Sequence, residues 1–272
     1  MYENVIELVG REPGPTSMIL VGVHGNEKCG VEALNKILSK LEIQKGKAFF
    51  AYGNPQSIDQ NVRYTEANLN RMFKSDELLS EKEKESYEYS RAQFLKKYLD
   101  QADVLLDIHA SYTPASQRFI ICEPNSKEIV KYLPFSLIVS GFDQVEPGGT
   151  DYYMNSIGKI GICVECGYLG DQKSTEIAEE SIYTFLRARE HVSGERQIYT
   201  QNYIQMYSIY ITKNNFKLTK EFSDFEEINL GQVIGTDGKE EVRAQKDSII
   251  LFARNVETGG EEAFLLGEKK KA

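Results

Sequence analysis

The sequence predicts an α/β fold over residues 1–195, followed by a small all-β domain over residues 196–272. Two observations carry this prediction. In the first part, short apolar runs alternate with segments in which apolar residues recur every three or four positions. After residue 196 that helical period is absent, and β-rich runs separated by turn dipeptides replace it.

The first part opens with a buried strand at residues 17–23, an apolar run that precedes Gly25. A helix follows, because apolar side chains recur on one face, and a second strand is predicted at residues 48–52. The helical face consists of Val31, Leu34, Leu38 and Leu41.

Residues 56–80 are polar and show little periodicity. Ser80 and Glu83 form a capping-box pattern, which predicts a helix from there to about residue 101. The rest of the first part alternates again between apolar runs and one closing helix. Strands are predicted at 103–108, 118–123, 136–140 and 160–164, and the helix at 175–191.

The second part contains β-rich runs at 203–212, 232–236 and 248–253. Turn dipeptides such as Asp237-Gly238 lie between these runs. The lysines at 269–271 are interpreted as a solvated tail rather than a binding patch.

Composition limits the classes of function. A hydrophobic content of 41% and a charged content of 27% are typical of globular proteins. The net charge of −9 argues against nucleic-acid or anionic-membrane partners. No apolar run approaches the roughly 20 residues that span a bilayer. Residues 1–10 lack the cationic start of a signal peptide, so the sequence favours a cytoplasmic location.

Four cysteines in a chain of this length do not form a disulfide framework. Cys163 and Cys166 make a Cys-x-x-Cys pattern, which could indicate a redox pair or a metal clip. They fall on a predicted strand, where positions three apart point to opposite faces. We therefore interpret both as buried apolar side chains.

Three polar side chains follow predicted strands of the first part. His24 follows the strand at 17–23, His109 the strand at 103–108, and Glu165 the strand at 160–164. In open α/β sheets, ligands bind at the carboxyl ends of strands. The placement predicts that these three side chains share one site.

Glu27 lies three residues after His24, where a helix is predicted to begin. His24, Glu27 and His109 together supply the two imidazoles and one carboxylate that suit catalytic zinc. The alternative is a buried structural histidine beside a glutamate that interacts with the helix dipole. The presence of His109 after a second strand favours the metal interpretation.

The polar segment contains three candidates for binding an anion: Arg63, Asn70 and Arg71. An arginine can grip a carboxylate through two hydrogen bonds or stabilise a developing oxyanion. Taken by themselves, these side chains fit a solvated loop with surface ion pairs better than an anion site. His191, at the end of the closing helix, is interpreted as surface decoration of that helix.

Five motifs in this order resemble the succinylglutamate desuccinylase/aspartoacylase family, which belongs to the zinc carboxypeptidase-like group. An ordered set of this kind is far more specific than any one motif. The resemblance covers about residues 15–170. The motifs are Gly22-Val23-His24-Gly25-Asn26-Glu27, Asn54-Pro55 with Arg63-Tyr64, Asn68-Leu69-Asn70-Arg71-Met72-Phe73, Asp107-Ile108-His109 and Val164-Glu165-Cys166-Gly167.

The resemblance implies that His24, Glu27 and His109 bind one zinc ion per chain. It implies that Glu165 is the general base, which takes a proton from the zinc-bound water and later passes it to the leaving amine. Arg63 would help to stabilise the tetrahedral oxyanion. The implied activity is hydrolysis of the amide bond of a small N-acyl amino acid, and ester bonds are open to the same chemistry.

The resemblance also implies that Asn70 and Arg71 hold a carboxylate of a small anionic substrate. The implied fold is a carboxypeptidase-like three-layer α/β/α sandwich with a mixed sheet, whose site the C-terminal β domain partly covers. A homo-oligomer is compatible with the sequence.

Two positions depart from the family pattern. The family commonly has Asp before Leu-Asn-Arg, where this chain has Asn68, which removes a charge that could orient Arg71. Some aspartoacylases carry an arginine ten residues before the catalytic glutamate, where this chain has Asn155. These departures leave the substrate's acyl group and amine open.

Three alternatives remain beside the deacylase. A carboxypeptidase-like exopeptidase would act on short peptides with the same residues. A non-catalytic metal-binding module would explain Asn68 and Asn155, although a structural zinc site is expected to close with a fourth protein ligand. An α/β domain with chance histidines requires several coincidences at once.

Overall fold

The computed structural model describes residues 3–113 and 116–270. An eleven-stranded mixed sheet dominates the structure, with the strand order β1-β3-β2-β4-β7-β5-β6-β8-β14-β13-β10, and a three-stranded antiparallel sheet has the order β12-β11-β9. The strands are β1 (Ile6–Val9), β2 (Glu12–Val21), β3 (Lys45–Tyr52), β4 (Val104–Ser111), β5 (Phe119–Cys122), β6 (Leu137–Ser140), β7 (Ile160–Tyr168), β8 (Asn202–Ile211), β9 (Phe216–Leu218), β10 (Glu227–Ile228), β11 (Val233–Asp237), β12 (Glu240–Arg243), β13 (Ser248–Leu251) and β14 (Glu262–Lys270).

Helices cover both faces of the large sheet, so the first part has three layers. Helices α1 and α8 pack with one face of the sheet, and α4 and α7 pack with the other. This arrangement confirms the predicted α/β/α fold class. The helices are α1 (Lys28–Leu38), α2 (Pro55–Gln60), α3 (Glu81–Lys84), α4 (Tyr87–Leu99), α5 (Lys127–Val130), α6 (Phe142–Val145), α7 (Thr150–Ser156) and α8 (Lys173–Ala188).

The central strands β2, β4 and β7 are parallel to one another. Their side chains alternate between two buried clusters: in β2, Ile19 and Val21 pack towards α1, and Met18 and Leu20 pack towards α4. Because both faces are covered, these strands are continuous apolar runs, which is the pattern that the sequence showed.

The C-terminal part is all-β, as predicted, but four of its strands continue the large sheet, and β9, β11 and β12 form the small one. Strand β8 pairs in parallel with β6, and β14, β13 and β10 follow it. The boundary at residue 195 therefore stays a prediction. Lys269 and Lys270 are exposed to solvent, as predicted, but they lie within β14, paired with Ile204 and Tyr203, and not in a tail. Lys271 lies outside the described residues.

The capping box at Ser80 is present, but it opens only the short helix α3. The predicted single helix is two helices, because the chain turns at Ser86 and starts again. The Ser86 backbone is extended, and its hydroxyl accepts a hydrogen bond from the Tyr89 N–H at 3.1 Å. A second serine cap thus interrupts a sequence whose composition suits a continuous helix.

His191 is buried rather than exposed, which corrects the surface interpretation. Its Nδ1 lies 2.8 Å from the Lys45 carbonyl oxygen, and its Nε2 lies 2.8 Å from Ser17 Oγ. His191 joins the end of α8 to the sheet. It does not belong to the group formed by His24, Glu27 and His109. None of the helices in the described residues is long and apolar enough to cross a bilayer.

Candidate metal and active site

Three neighbouring strands place the predicted site residues together. His24 lies three residues beyond the end of β2, and His109 and Glu165 are register partners in β4 and β7. His109 and Glu165 are therefore adjacent across the sheet, at its carboxyl edge. The sequence placed both after their strands, whereas the structure extends the strands through them.

The turn between β2 and α1 depends on a glycine. A Cβ atom on Gly25 would lie 2.0 Å from the carbonyl carbon of Ser57, so only glycine lets this turn approach α2. The tight turn brings Glu27, at the N-terminus of α1, back towards His24. The two side chains of the His-x-x-Glu motif consequently face each other.

The two imidazoles converge on the carboxylate of Glu27. His24 Nδ1 lies 2.7 Å from Glu27 Oε1, and His109 Nδ1 lies 2.9 Å from Glu27 Oε2. All three side chains are buried, and ligand atoms from each lie within 4.8 Å of one another. Two imidazole nitrogens and a carboxylate are donors that zinc accepts, so the residues present fit a bound metal ion.

The two imidazoles of this cluster differ in pKa. Burial lowers the pKa of His109, but the neighbouring Cys163, Asp107 and Glu27 outweigh burial and raise it well above its ordinary value. Burial lowers the pKa of His24 to about 4, so this imidazole is neutral and has a free lone pair. Burial raises the pKa of Glu27, but the adjacent His24 and His109 outweigh burial and hold that pKa well below its ordinary value. Glu27 is therefore an ionised carboxylate, the form that binds a cation.

Each imidazole has a polar neighbour at its outer nitrogen. His24 Nε2 lies 3.1 Å from Asn68 Oδ1, and His109 Nε2 lies 3.2 Å from Asp107 Oδ2. Thr150 Oγ1 donates a hydrogen bond of 2.5 Å to the same Asp107 oxygen. Asp107 was not predicted from the sequence as a neighbour of the His109 ring. An aspartate within an apolar strand, two residues before His109, could have indicated it.

Glu165 is next to this cluster and is 7% exposed. Its Oε2 atom has no hydrogen-bond partner among the described residues. Burial, and then the charge of Glu27, raise the pKa of Glu165 to about 8. A buried carboxyl with a free oxygen and a pKa near neutrality is suited to accept and return a proton.

Arg63 also reaches the cluster. Its Nη1 donates to Glu27 Oε1 at 3.1 Å, and its side chain is 34% exposed. The guanidinium group of Arg63 therefore lies beside the two histidines and Glu27, and not on the surface of a distant loop.

Arg71 lies in the same cavity but is already paired. Its Nη2 donates to Glu146, and its Nε and Nη2 donate to Glu262 at 3.1 Å and 3.0 Å. Its Nη1 donates to the Asn70 carbonyl oxygen at 2.8 Å. Neither glutamate was predicted from the sequence, because no local pattern indicates an ion pair between Arg71 and residues 75 and 191 positions further along the chain.

Asn68 makes no hydrogen bond to Arg71 among the described residues, which agrees with the loss of an orienting charge noted at this position. It accepts hydrogen bonds from His24 and from the Asn70 N–H instead. Asn155 donates to Asp143 and accepts from the Gly161 N–H, which fixes it against the sheet. Glutamates, and not Asn68, orient Arg71.

The site residues line one cavity of about 390 Å³. Its walls come from both parts of the chain, including Phe252, Arg254 and Glu262 from the C-terminal part. Cys163 also lines it, whereas Cys166 packs in the cluster on the opposite face of the sheet. All four cysteines are buried and free.

Several known proteins are similar to this chain. Residues 13–190 match the family described as the succinylglutamate desuccinylase/aspartoacylase catalytic domain. The chain is 30% identical over 168 residues to a probable aspartoacylase of Trichodesmium erythraeum, a match that covers 55% of this chain and 54% of that protein. It therefore spans about half the length of that relative.

Two further relatives cover more of the chain. A succinylglutamate desuccinylase of Shewanella denitrificans is 25% identical over 272 residues, covering 88% of this chain and 77% of that protein. The crystal structure of succinylglutamate desuccinylase from Vibrio cholerae superposes with a TM-score of 0.81 at 18% identity, covering 97% of this chain and 85% of that chain. At this identity the structural likeness shows a shared fold.

Proposed function

The chain belongs to the succinylglutamate desuccinylase/aspartoacylase family, and from that premise we propose that it is a zinc-dependent hydrolase that cleaves the amide bond of a small N-acyl amino acid. One observation carries the proposal. The side chains of His24, Glu27 and His109 converge beside a buried Glu165 that has an unpaired oxygen. This is a metal donor set with a proton acceptor next to it.

His24, Glu27 and His109 would hold the metal. Zinc bound there would polarise the substrate carbonyl and lower the pKa of water. The three donors leave room for substrate or water, because no fourth histidine, cysteine or carboxylate in the described residues completes the group.

Glu165 supplies the proton transfers. In our proposal its carboxylate takes a proton from the attacking water and then passes it to the nitrogen of the leaving amine. The raised pKa of about 8 suits both directions near neutral pH. Arg63, whose guanidinium reaches Glu27, is placed to stabilise the negative charge that develops on the carbonyl oxygen.

Asn70 and Arg71 line the same cavity, and we propose that they contact the substrate beyond its scissile bond. We also keep the division into a catalytic part, residues 1–195, and a C-terminal β part that partly covers the site. Phe252, Arg254 and Glu262 support this covering role, because all three line the cavity.

Metal removal and a single substitution test the proposal together. Chelation should abolish hydrolysis of N-acyl amino acids, and added zinc should restore it. Glu165→Gln keeps the shape of the side chain but cannot accept the proton, so we expect kcat to fall at least about 100-fold. Metal analysis should show that this variant still contains one zinc ion per chain.

The competing functions give different results in the same assay. An exopeptidase would hydrolyse dipeptides in preference to acylated amino acids. A non-catalytic module would bind zinc and hydrolyse neither. Full turnover by the Glu165→Gln variant would refute the proposed mechanism.

A further inference from the structure

A second cavity lies at helix α8, which packs on the face of the sheet opposite the proposed active site. Its volume is about 210 Å³, and it lies between the C-terminal half of α8 and the irregular chain at residues 195–199. Tyr132, which follows α5, forms another wall. No described residue lines both this cavity and that of His24, Glu27 and His109, so the two are separate.

Arg187 of α8 lines this cavity without a protein partner. Its Nε atom is buried and makes no hydrogen bond to any described residue. No described residue accepts a hydrogen bond from its terminal nitrogens or forms an ion pair with it either. A buried N–H group without an acceptor is costly, and more so when it belongs to a charged group. An acceptor that reached this nitrogen would remove that cost.

The backbone at Gly194 lies directly against the Arg187 side chain. Gly194 has a φ of +144°, and a Cβ atom there would lie 2.8 Å from Arg187 Nε and 3.1 Å from its Cδ. Glycine permits both this backbone conformation and this close approach. The contact shields Nε from water on one side, but it supplies no acceptor in place of water.

A second guanidinium, that of Arg196, lines the same cavity. Its Nη1 donates to Glu190 at 3.1 Å, and its central carbon lies 5.4 Å from the centre of the Tyr132 ring. These contacts leave its Nε and Nη2 without a hydrogen-bond partner among the described residues. Glu195 also lines the cavity, but it is exposed and forms no ion pair with either arginine in the part of the chain that the structure describes.

These donors suit a phosphoryl group better than a carboxylate. A carboxylate has two oxygens, which one guanidinium satisfies through two parallel hydrogen bonds. A phosphate monoester has three acceptor oxygens and carries about two negative charges near neutral pH, so it can bind two guanidinium groups at once. Tyr199 lines the same cavity, and its hydroxyl has no hydrogen-bond partner among the described residues, so it is a further donor.

We propose that this cavity is a second binding site, which takes a small anion that carries a phosphoryl group. Arg187 binds one edge of the anion through Nε and a terminal nitrogen, and Arg196 and Tyr199 donate to its remaining oxygens. Binding there relieves the buried Nε and neutralises the two guanidinium charges that line the cavity. The site does not depend on the proposed hydrolase activity, because none of these three residues lines the cavity of the metal-ligand group.

The buried Nε–H group of Arg187 can itself report binding. In zinc-loaded protein with isotope-labelled arginine, its NMR signal is the one that disappears in Arg187→Gln. We expect inorganic phosphate to shift this signal saturably at about 0.15 M salt, where weak surface attraction is screened. Acetate should need at least about tenfold higher concentration, because it satisfies only one guanidinium. A signal that phosphate leaves in place, or that acetate shifts equally well, would overturn the inference.

Substitution of the second arginine tests whether both guanidinium groups hold the anion. Followed through the same Arg187 signal, Arg196→Gln should weaken phosphate binding at least about tenfold, and Arg196→Lys, which keeps the charge, should weaken it less. Arg243→Gln is the matched control, because it removes the same charge from an exposed arginine on β12 that pairs with Glu241.

The control should bind phosphate as tightly as the unaltered protein. Thermal melting identifies any variant that fails to fold. Equal weakening in Arg196→Gln and Arg243→Gln would show that phosphate responds only to net charge, and it would overturn the inference. Unchanged binding by both folded Arg196 variants would refute the second guanidinium contact.

Discussion

The outer nitrogen of His24 is held by an amide rather than by a carboxylate. Asn68 Oδ1 also accepts a hydrogen bond from the Asn70 N–H, which identifies this atom as the oxygen. An amide oxygen only accepts, so His24 Nε2 must carry the hydrogen and Nδ1 keeps its lone pair towards Glu27. Asn68 therefore fixes the tautomer that a metal ligand needs.

Removing that amide should weaken metal binding. We expect Asn68→Ala to lower zinc affinity about 10–100-fold, because partners of ligating histidines typically contribute that much. Competition with a chromophoric chelator measures the effect. Asn229→Ala, at an exposed position, is the control and should leave zinc affinity unchanged. Equal affinities of both variants would exclude the orienting role.

The buried Glu146 makes stability depend on pH. Burial raises its pKa from 4.5 to about 8. Between these pH values the unfolded chain has lost the proton that the folded protein retains, so rising pH favours unfolding until about pH 8. The neutral amide in Glu146→Gln does not have this cost.

We therefore expect Glu146→Gln to raise the free energy of unfolding by about 1–3 kcal/mol at pH 8, and to have little effect at pH 5. Urea denaturation of both proteins at the two pH values measures the difference. A gain of the same size at both pH values would show that the effect is not linked to the proton on Glu146.

At the scale of elements, helix α4 holds the polar segment that carries Arg63 and Arg71. Glu88 is fully buried in α4, and its Oε1 accepts from the Thr65 N–H at 2.8 Å and from Thr65 Oγ1 at 2.7 Å. Its Oε2 accepts from the Ala67 N–H at 3.1 Å. One carboxylate thus accepts hydrogen bonds from the backbone N–H groups of a segment that has little regular structure.

Glu88→Gln should release this segment. The amide retains one acceptor oxygen and places a donor against backbone N–H groups, so we expect a loss of about 2–4 kcal/mol in the free energy of unfolding. We also expect a fall in kcat/KM of at least about tenfold, since Arg63 and Asn68 flank the released residues. Glu85→Gln, exposed on the same stretch of chain, is the control. Normal stability and turnover of Glu88→Gln would contradict the positioning role.

Over the whole molecule, the C-terminal strands complete both the sheet and the cavity. Strand β8 covers the edge of β6, and Asp224 accepts hydrogen bonds from Ser111 at 3.0 Å and Ser116 at 2.6 Å near the site. A buried apolar cluster joins the two parts, with Phe119 and Val139 from the first and Met206 and Leu265 from the second among its members.

Truncation after residue 195 should therefore prevent stable folding of the first part. The cut would expose the β6 edge and that apolar cluster, and exposed edges of this kind pair with other chains. We expect the truncated protein to aggregate or to show no cooperative thermal transition, whereas the full chain melts cooperatively. A soluble fragment of residues 1–195 that melts cooperatively would show that it is an independent domain.

The sequence alone determined the α/β order of the first part and the local geometry around His24. Apolar runs of strand length and a helical apolar face were enough to predict the strands and helices, because periodicity can be recognised from residues that are close in sequence. The His24-to-Glu27 spacing also lies within one turn between a strand and a helix. The five-motif resemblance supplied the family, which the match over residues 13–190 confirms.

Only the tertiary structure decided how the cavity is charged. Glu262 reaches Arg71 across 191 positions of chain, and Asn68 faces His24 although its neighbours in sequence suggested Arg71. The tertiary structure also decided that β14 pairs with β8, so that Lys269 and Lys270 are part of a strand. The physical reason is that periodicity reports the environment of adjacent residues, whereas an ion pair or a strand pairing depends on which distant segments the topology brings together.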